Sequence, residues 1–205
     1  MLRLVLGFLL GFLILPAALM WWLKNNNVPV AVADPALPFE ERIANTFLHK
    51  RMDHEVVKVP PIQADEPTLV AGAEIYRDHC AVCHGFHGKP SAVGERMYPT
   101  APPLWEKDPD KDAIGVSDDL PGATWWKVSN GIRLTGMPSF KGVLNETSMW
   151  QVSLLLASAD KPLPPAAVEM LRGNLPTAGA ENDPSAVTKP VKTAPRKTTR
   201  AAGGQ

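Results

Sequence analysis

The stretch Cys80-Ala81-Val82-Cys83-His84 contains both cysteines of this 205-residue chain and is followed by a turn-rich region. On a short helical turn, residues three positions apart lie on one side of the backbone, so the two thiols can reach the same planar group. C-x-x-C-H is the spacing at which two cysteines bind a haem covalently and the histidine ligates its iron. The motif therefore predicts one haem c attached through Cys80 and Cys83, with His84 as an axial ligand.

Three other uses of the cysteine pair are less consistent with the sequence. A thioredoxin-type pair requires a βαβ context, and no strand pattern of period two is present. A zinc site requires two further ligands, and the chain has no second cysteine pair. A structural disulfide remains possible in an exported protein, but it would close only a very short loop and leave His84 without a role.

Composition limits the other functional classes. The chain has 21 basic and 21 acidic side chains, so it lacks the basic excess typical of nucleic-acid binding, and no nucleic-acid partner is expected. Globular composition is confined to about a hundred residues, which predicts one small domain. We divide the chain into an anchor (1–24), a proline-rich linker (25–64), the domain (65–160), and a tail (161–205) rich in Pro, Ala and Lys. The tail is expected to be mostly disordered, although residues 166–172 could form one further helical turn.

Residues 4–23 form an uncharged apolar run that ends at Lys24. Twenty helical residues span about 30 Å, so the run predicts a transmembrane helix in contact with the lipid bilayer. A signal peptide cleaved after Ala33 is the alternative, because residues 31–33 have the small-x-small pattern of a cleavage site. Arg3 favours a cytoplasmic N-terminus. We therefore expect a single-pass protein of the inner membrane whose domain lies on the periplasmic side.

Helical periodicity is present in four segments, at residues 39–52, 68–79, 123–130 and 146–159. The first lies within the linker and could dock on the domain or lie at the membrane surface. Glycine and proline dominate residues 85–119, which predicts a long loop. Ordered loops of this length need a core to pack on, and a large apolar ligand at the centre of the domain would form much of that core. The predicted fold class is all-α.

Several further segments occur in a fixed order around the cysteine motif. In chain order they are Gly72 and Tyr76, then Pro102-Pro103-Leu104, Asn130-Gly131-Ile132, Thr135-Gly136-Met137-Pro138, and the helix containing Trp150. With these segments, residues 66–160 resemble the class I (mono-haem) cytochromes c, of the membrane-anchored bacterial type. The resemblance implies three to five helices wrapped around one haem, with the Trp150 helix crossing the Gly72 helix.

The resemblance also implies roles for individual residues. The carbonyl of Pro102 would accept a hydrogen bond from His84 and fix its orientation. Met137, in a Gly-Met-Pro turn, would be the sixth ligand of the iron, and Met97 is its one serious rival.

The apolar lining of the haem site is expected from Trp126 and five others, and the haem propionates are expected to contact Arg133 or Trp125. The five others are Val82, Leu104, Ile132, Phe140 and Leu154.

Ligation by His84 and Met137 would leave no open coordination position, which favours electron transfer over oxygen chemistry. The predicted function is that of a carrier of single electrons, not an enzyme. Its partners would be membrane redox complexes or soluble electron donor and acceptor proteins. The alternative is a cytochrome subunit of a larger membrane dehydrogenase or oxidase, and a gas sensor or peroxidase is a weaker one because it needs a vacant distal site.

Overall fold

A computed structural model describes residues 2–109 and 111–173, with the backbone alone at residues 2–6 and 9. Residues 174–205, which hold most of the predicted tail, lie outside the described residues. The described part is all-helical, with isolated bridges and no strand. Its helices are α1 (Leu2–Asn25), α2 (Glu40–Glu55), α3 (Glu66–Ile75), α4 (Ala81–His84), α5 (Pro121–Asn130), α6 (Glu146–Leu156) and α7 (Pro165–Leu171).

The crossing of α3 and α6 is the main packing contact of the domain. Asp65 caps α3 by accepting a hydrogen bond from the Thr68 backbone N–H at 3.0 Å. One turn later, Gly72 lies directly against the Gln151 carbonyl of α6, where a Cβ atom could not fit. The two helices therefore cross at Gly72, as the resemblance implies.

Helix α6 is buried over most of its length, as its apolar composition predicts. Trp150, Val152 and Leu155 are each no more than 2% exposed. Helix α5 packs on the same helix, and its Trp125 ring stacks on Trp150 with the ring centroids 5.2 Å apart. These contacts form a single core between α3, α5 and α6.

The core extends past residue 160, the predicted end of the domain. Helix α7 packs on α3 and buries Ala167 and Leu171 completely or nearly so. Lys89 donates a hydrogen bond from Nζ to the Arg172 carbonyl at 3.1 Å, which joins the end of α7 to the loop after the cysteine motif. A helix of seven residues that begins at Pro165 is too short for its periodicity to distinguish it from a proline-rich tail.

Helix α2 docks on the domain, although the sequence places it in the linker. Trp126 Nε1 donates a hydrogen bond to Glu55 Oε2 at 2.9 Å, and Met52 is buried. Just beyond the helix, the Val57 carbonyl lies against Gly122 of α5 so closely that no side chain could replace the glycine hydrogen. Residues 40–57 therefore belong to the folded body.

Helix α1 contains the apolar run and comprises 24 residues. Many of its described apolar side chains are exposed, among them Phe12 and Trp21. Within the described part of the chain, no helix combines the length and the apolar character that crossing a membrane requires.

Candidate haem site

One cavity of about 620 Å³ brings the predicted ligands together. Cys80, Cys83, His84 and Met137 all line it, and most of the other lining side chains are apolar. The volume lies in the range of cofactor and ligand sites. Four of the six expected apolar residues contribute to the wall, namely Val82, Leu104, Ile132 and Phe140.

The backbone around the cysteine motif is held by one tyrosine. Helix α3 passes without a break into a π-helical turn (Tyr76–Cys80) and then into α4, a feature often found at functional sites. The fully buried Tyr76 donates a hydrogen bond from its hydroxyl to the Gly85 carbonyl at 2.8 Å. Gly85 has φ 73°, which favours glycine. The Tyr76–Gly85 bond therefore brackets the motif on both sides.

Neither cysteine forms a disulfide. Burial and, to a smaller extent, the neighbouring Cys83 together raise the pKa of the Cys80 thiol to about 12. A thiol with so high a pKa is not a reactive thiolate at neutral pH, which argues against a thioredoxin-type role. The loop that follows is tied to the motif by Ser91, whose Oγ donates to the Val82 carbonyl at 2.5 Å.

His84 is oriented for ligation. Its Nδ1 lies 2.8 Å from the Pro102 carbonyl oxygen. Because a carbonyl can only accept, Nδ1 carries the proton and Nε2 keeps its lone pair for a metal. Burial lowers the pKa of His84, since it disfavours the charged form, and the bond to Pro102 opposes this only in part. The hydrogen bond that the resemblance implies is thus present.

The loop that carries Met137 is fixed by hydrogen bonds over a few residues. The Met137 backbone N–H donates to Thr135 Oγ1 at 3.1 Å, and its carbonyl accepts from the Ile132 N–H at 3.2 Å. Gly131, with φ 68°, lies against Pro138 where a side chain would clash. Met97 lines the same cavity and its methyl group packs against Gly136. The cavity therefore presents two thioethers, and Met137 as ligand remains a prediction.

Neither Trp126 nor Arg133 lies on the cavity wall. Helix α5 turns Thr124, Lys127 and Val128 towards the cavity, a spacing of three and four residues that leaves Trp126 on another face, bonded to Glu55. Arg133 is exposed on the loop that carries Met137. Trp125 stacks on Trp150 and Leu154 is buried, and both lie outside the wall as well.

Several wall residues were not predicted from the sequence, among them three residues of α2: Asn45, Leu48 and His49. His79, just before the motif, also lines the cavity, with its ring centroid 6.1 Å from that of Phe140. Helical periodicity predicts α2, but its docking position, and with it the position of His49, is set by tertiary contacts that periodicity does not show.

The residues present fit a covalently bound haem. The two free thiols lie three residues apart, the Nε2 of His84 is available, and all three groups open into one mainly apolar cavity. A haem held there would supply a one-electron iron couple, and the chain would supply its attachment, ligation and exclusion of water.

Comparisons with known proteins agree with this site. Residues 67–154 match the family described as cytochrome C oxidase, cbb3-type, subunit III. A curated relative, the thiosulfate dehydrogenase of Stutzerimonas stutzeri (strain A1501), is 31% identical over 102 residues, which cover 49% of this chain and 30% of the relative. The chain thus spans less than a third of that relative's length. No solved structure matches significantly. With the geometry of the cavity, these matches support a mono-haem c-type cytochrome domain at residues 67–154, with its haem bound covalently.

Proposed function

We propose that this protein is a membrane-tethered carrier of single electrons whose haem is attached to Cys80 and Cys83 and ligated by His84 and Met137. One observation supports the ligand set above the others: the two cysteines, the oriented imidazole and the thioether of Met137 line the same cavity, although more than fifty residues separate Met137 from the motif. A cavity that offers ligands from two distant segments favours a six-coordinate iron.

Two axial protein ligands determine which chemistry is favoured. With both positions filled, a small molecule such as oxygen or carbon monoxide has no open position on the iron, and electron transfer is the remaining use. A thioether ligand and an apolar environment both raise the reduction potential. Both disfavour the additional positive charge of ferric iron and so favour the ferrous state.

The direct test is an optical spectrum of the purified, matured protein with a denaturing gel stained for haem. We expect a low-spin spectrum, a haem-stained band at the mass of the chain, and no prompt change of the ferrous spectrum with carbon monoxide at neutral pH. A protein without covalent haem would refute the proposal, and a fast reaction with carbon monoxide would revive the sensor or peroxidase hypothesis.

A cytochrome subunit of a larger dehydrogenase or oxidase is the second candidate. The name of the matched family denotes an oxidase subunit, and the relative is a dehydrogenase more than three times as long as the aligned segment. Purification of the detergent-solubilised native protein distinguishes the candidates, since a stoichiometric partner supports the subunit. Mixing the pure protein with thiosulfate tests for enzyme activity: a carrier alone would stay oxidised.

Membrane attachment outside the cytoplasm is the last part of the proposal. It is supported by the uncharged run at residues 4–23 and by the exposed apolar side chains of α1. We expect the protein to remain with the membrane fraction after a carbonate wash, and a variant that starts at residue 34 behind a cleavable export signal to be released. A mature N-terminus at Asp34 would instead identify the segment as a signal peptide.

A further inference from the structure

Helix α2 lies outside the segment that matches the cytochrome family, yet it forms part of the cavity wall. The family match begins at residue 67, and α2 ends at Glu55. Asn45, Leu48 and His49 nevertheless line the cavity together with the cysteine motif. The cavity wall therefore includes residues from outside the segment that matches the family.

The side of α2 that faces the cavity is set by helical geometry. The residues on that side, spaced by three or four positions, are Asn45, Leu48, His49 and Met52. At 100° per residue, Ile43 and Phe47 fall on the opposite side, and they are 54% and 69% exposed. Only one face of the helix is therefore available to a bound group.

Both ends of the helix are placed by contacts with the domain. Near its C-terminus, Glu55 accepts the indole hydrogen bond of Trp126, and Met52 is 6% exposed. Near its N-terminus, the Glu40 carboxylate lies beside Tyr98, in the loop that also supplies Met97 and Pro99 to the wall. The helix thus lies along the opening of the cavity, between that loop and α5.

The polar groups on the inner face of α2 are hydrogen-bond donors. Asn45 and His49 are exposed at the rim of the cavity, Leu48 is half-buried, and within the described residues neither polar side chain has a hydrogen-bond partner. Lys127, also on the wall, is already paired with Asp119 at 3.1 Å. Trp125 and Arg133 do not reach the wall, so the donors expected for the haem carboxylates must come from elsewhere.

We propose that α2 is part of the haem-binding site: Leu48 covers the haem, and Asn45 and His49 donate hydrogen bonds to its propionate carboxylates. Glu55 and Trp126 are positioning residues, which act through the placement of α2. The inference rests on the proposed function, because it assumes the haem attached at Cys80 and Cys83. Donors at the propionates reduce the negative charge near the iron, and that charge favours the ferric state.

The test uses the full-length holoprotein with His49→Leu, Asn45→Leu and the double variant. His54→Leu is the matched control, because His54 lies on the same helix, on its exposed outer face. We expect the inner-face variants to lower the midpoint potential and shift the propionate bending band in the resonance Raman spectrum, and His49→Gln to restore part of both changes. The control should match the wild type.

Hydrogen exchange of residues 40–55 in the holoprotein tests the placement of α2 independently. We expect slow exchange in the wild type and at least tenfold faster exchange in Trp126→Phe. An unprotected α2, or inner-face variants with unchanged potential and Raman band, would overturn the inference while leaving the covalent haem and its low-spin spectrum intact. A wild-type protein without covalently bound haem would instead refute the proposed function.

Discussion

The haem cavity has two walls of different construction. The wall at the cysteine motif is held by hydrogen bonds between residues that are close in sequence. These bonds join Tyr76 to Gly85, Ser91 to Val82, and His84 to Pro102. The α2 wall is joined to the domain by contacts between residues distant in sequence, namely the indole–carboxylate bond of Trp126 and Glu55, which are 71 positions apart, and the contact of Glu40 with Tyr98. The first wall is therefore fixed by hydrogen bonds within one short segment of the chain, whereas the second wall depends on the docking of α2 onto the domain.

Replacing Cys80 and Cys83 by alanine should have the largest effect, because it removes the attachment on the first wall. We expect no haem-stained band and a largely unfolded domain, since so small a core depends on its cofactor. Haem-stained gels and circular dichroism measure the two outcomes. A folded, haem-loaded double variant would show that the cavity holds haem without its thioether bonds and would remove the main difference between the walls.

Replacing the sixth ligand should change the iron without unfolding the chain. We expect Met137→Ala to convert the low-spin iron to high-spin and to lower its midpoint potential, because the thioether is lost. Met97→Ala is the matched control, a methionine on the same cavity that should leave the spin state unchanged. The reverse outcome would assign the ligand to Met97, which lies nearer the first wall in sequence.

Tyr76→Phe removes one hydroxyl from the first wall and leaves the buried Gly85 carbonyl without its partner. An unsatisfied buried carbonyl costs about 1–3 kcal/mol, so we expect the free energy of unfolding to fall by that amount. Urea unfolding followed by circular dichroism measures it. Tyr98→Phe is the comparison: it removes the other tyrosine hydroxyl of the chain, which lies beside Glu40 on an exposed side chain, so we expect a smaller loss of stability. Equal effects of the two variants would mean that the Tyr76 bond contributes little to the first wall.

Acid should release the second wall before the first, and this is the smallest effect. The hydrogen bond from Trp126 lowers the pKa of Glu55, so the ionised carboxylate is favoured in the folded state. Its contribution is complete above the unfolded pKa of about 4.3 and is lost as the pH falls through the lower folded value. Exchange of residues 40–55 should therefore accelerate in that range. In Glu55→Gln this acceleration should disappear, and an unchanged pH profile would contradict the role of the carboxylate.

Much of the fold could be predicted, because the signals are local. The cap at Asp65, the apolar run around Trp150 and the glycine after Asn130 locate α3, α6 and the end of α5 within a few residues. The predictions failed where helices were short or where a face had to be chosen. The sequence predicts α7 as one turn within a proline-rich tail and does not show that it packs on the core. The face of α5 that carries Lys127 rather than Trp126 to the cavity depends on how α5 packs on α6.

By itself the sequence determined the chemistry: two thiols and an imidazole at fixed spacing indicate a haem, because covalent geometry and helical rise alone place them on one side of the chain. Only the tertiary structure decided what surrounds that haem. Which histidines and which face of α5 reach the cavity depends on contacts between residues dozens of positions apart, and such contacts leave no local pattern. His49 shows this most clearly, since nothing near it in sequence distinguishes it from His54.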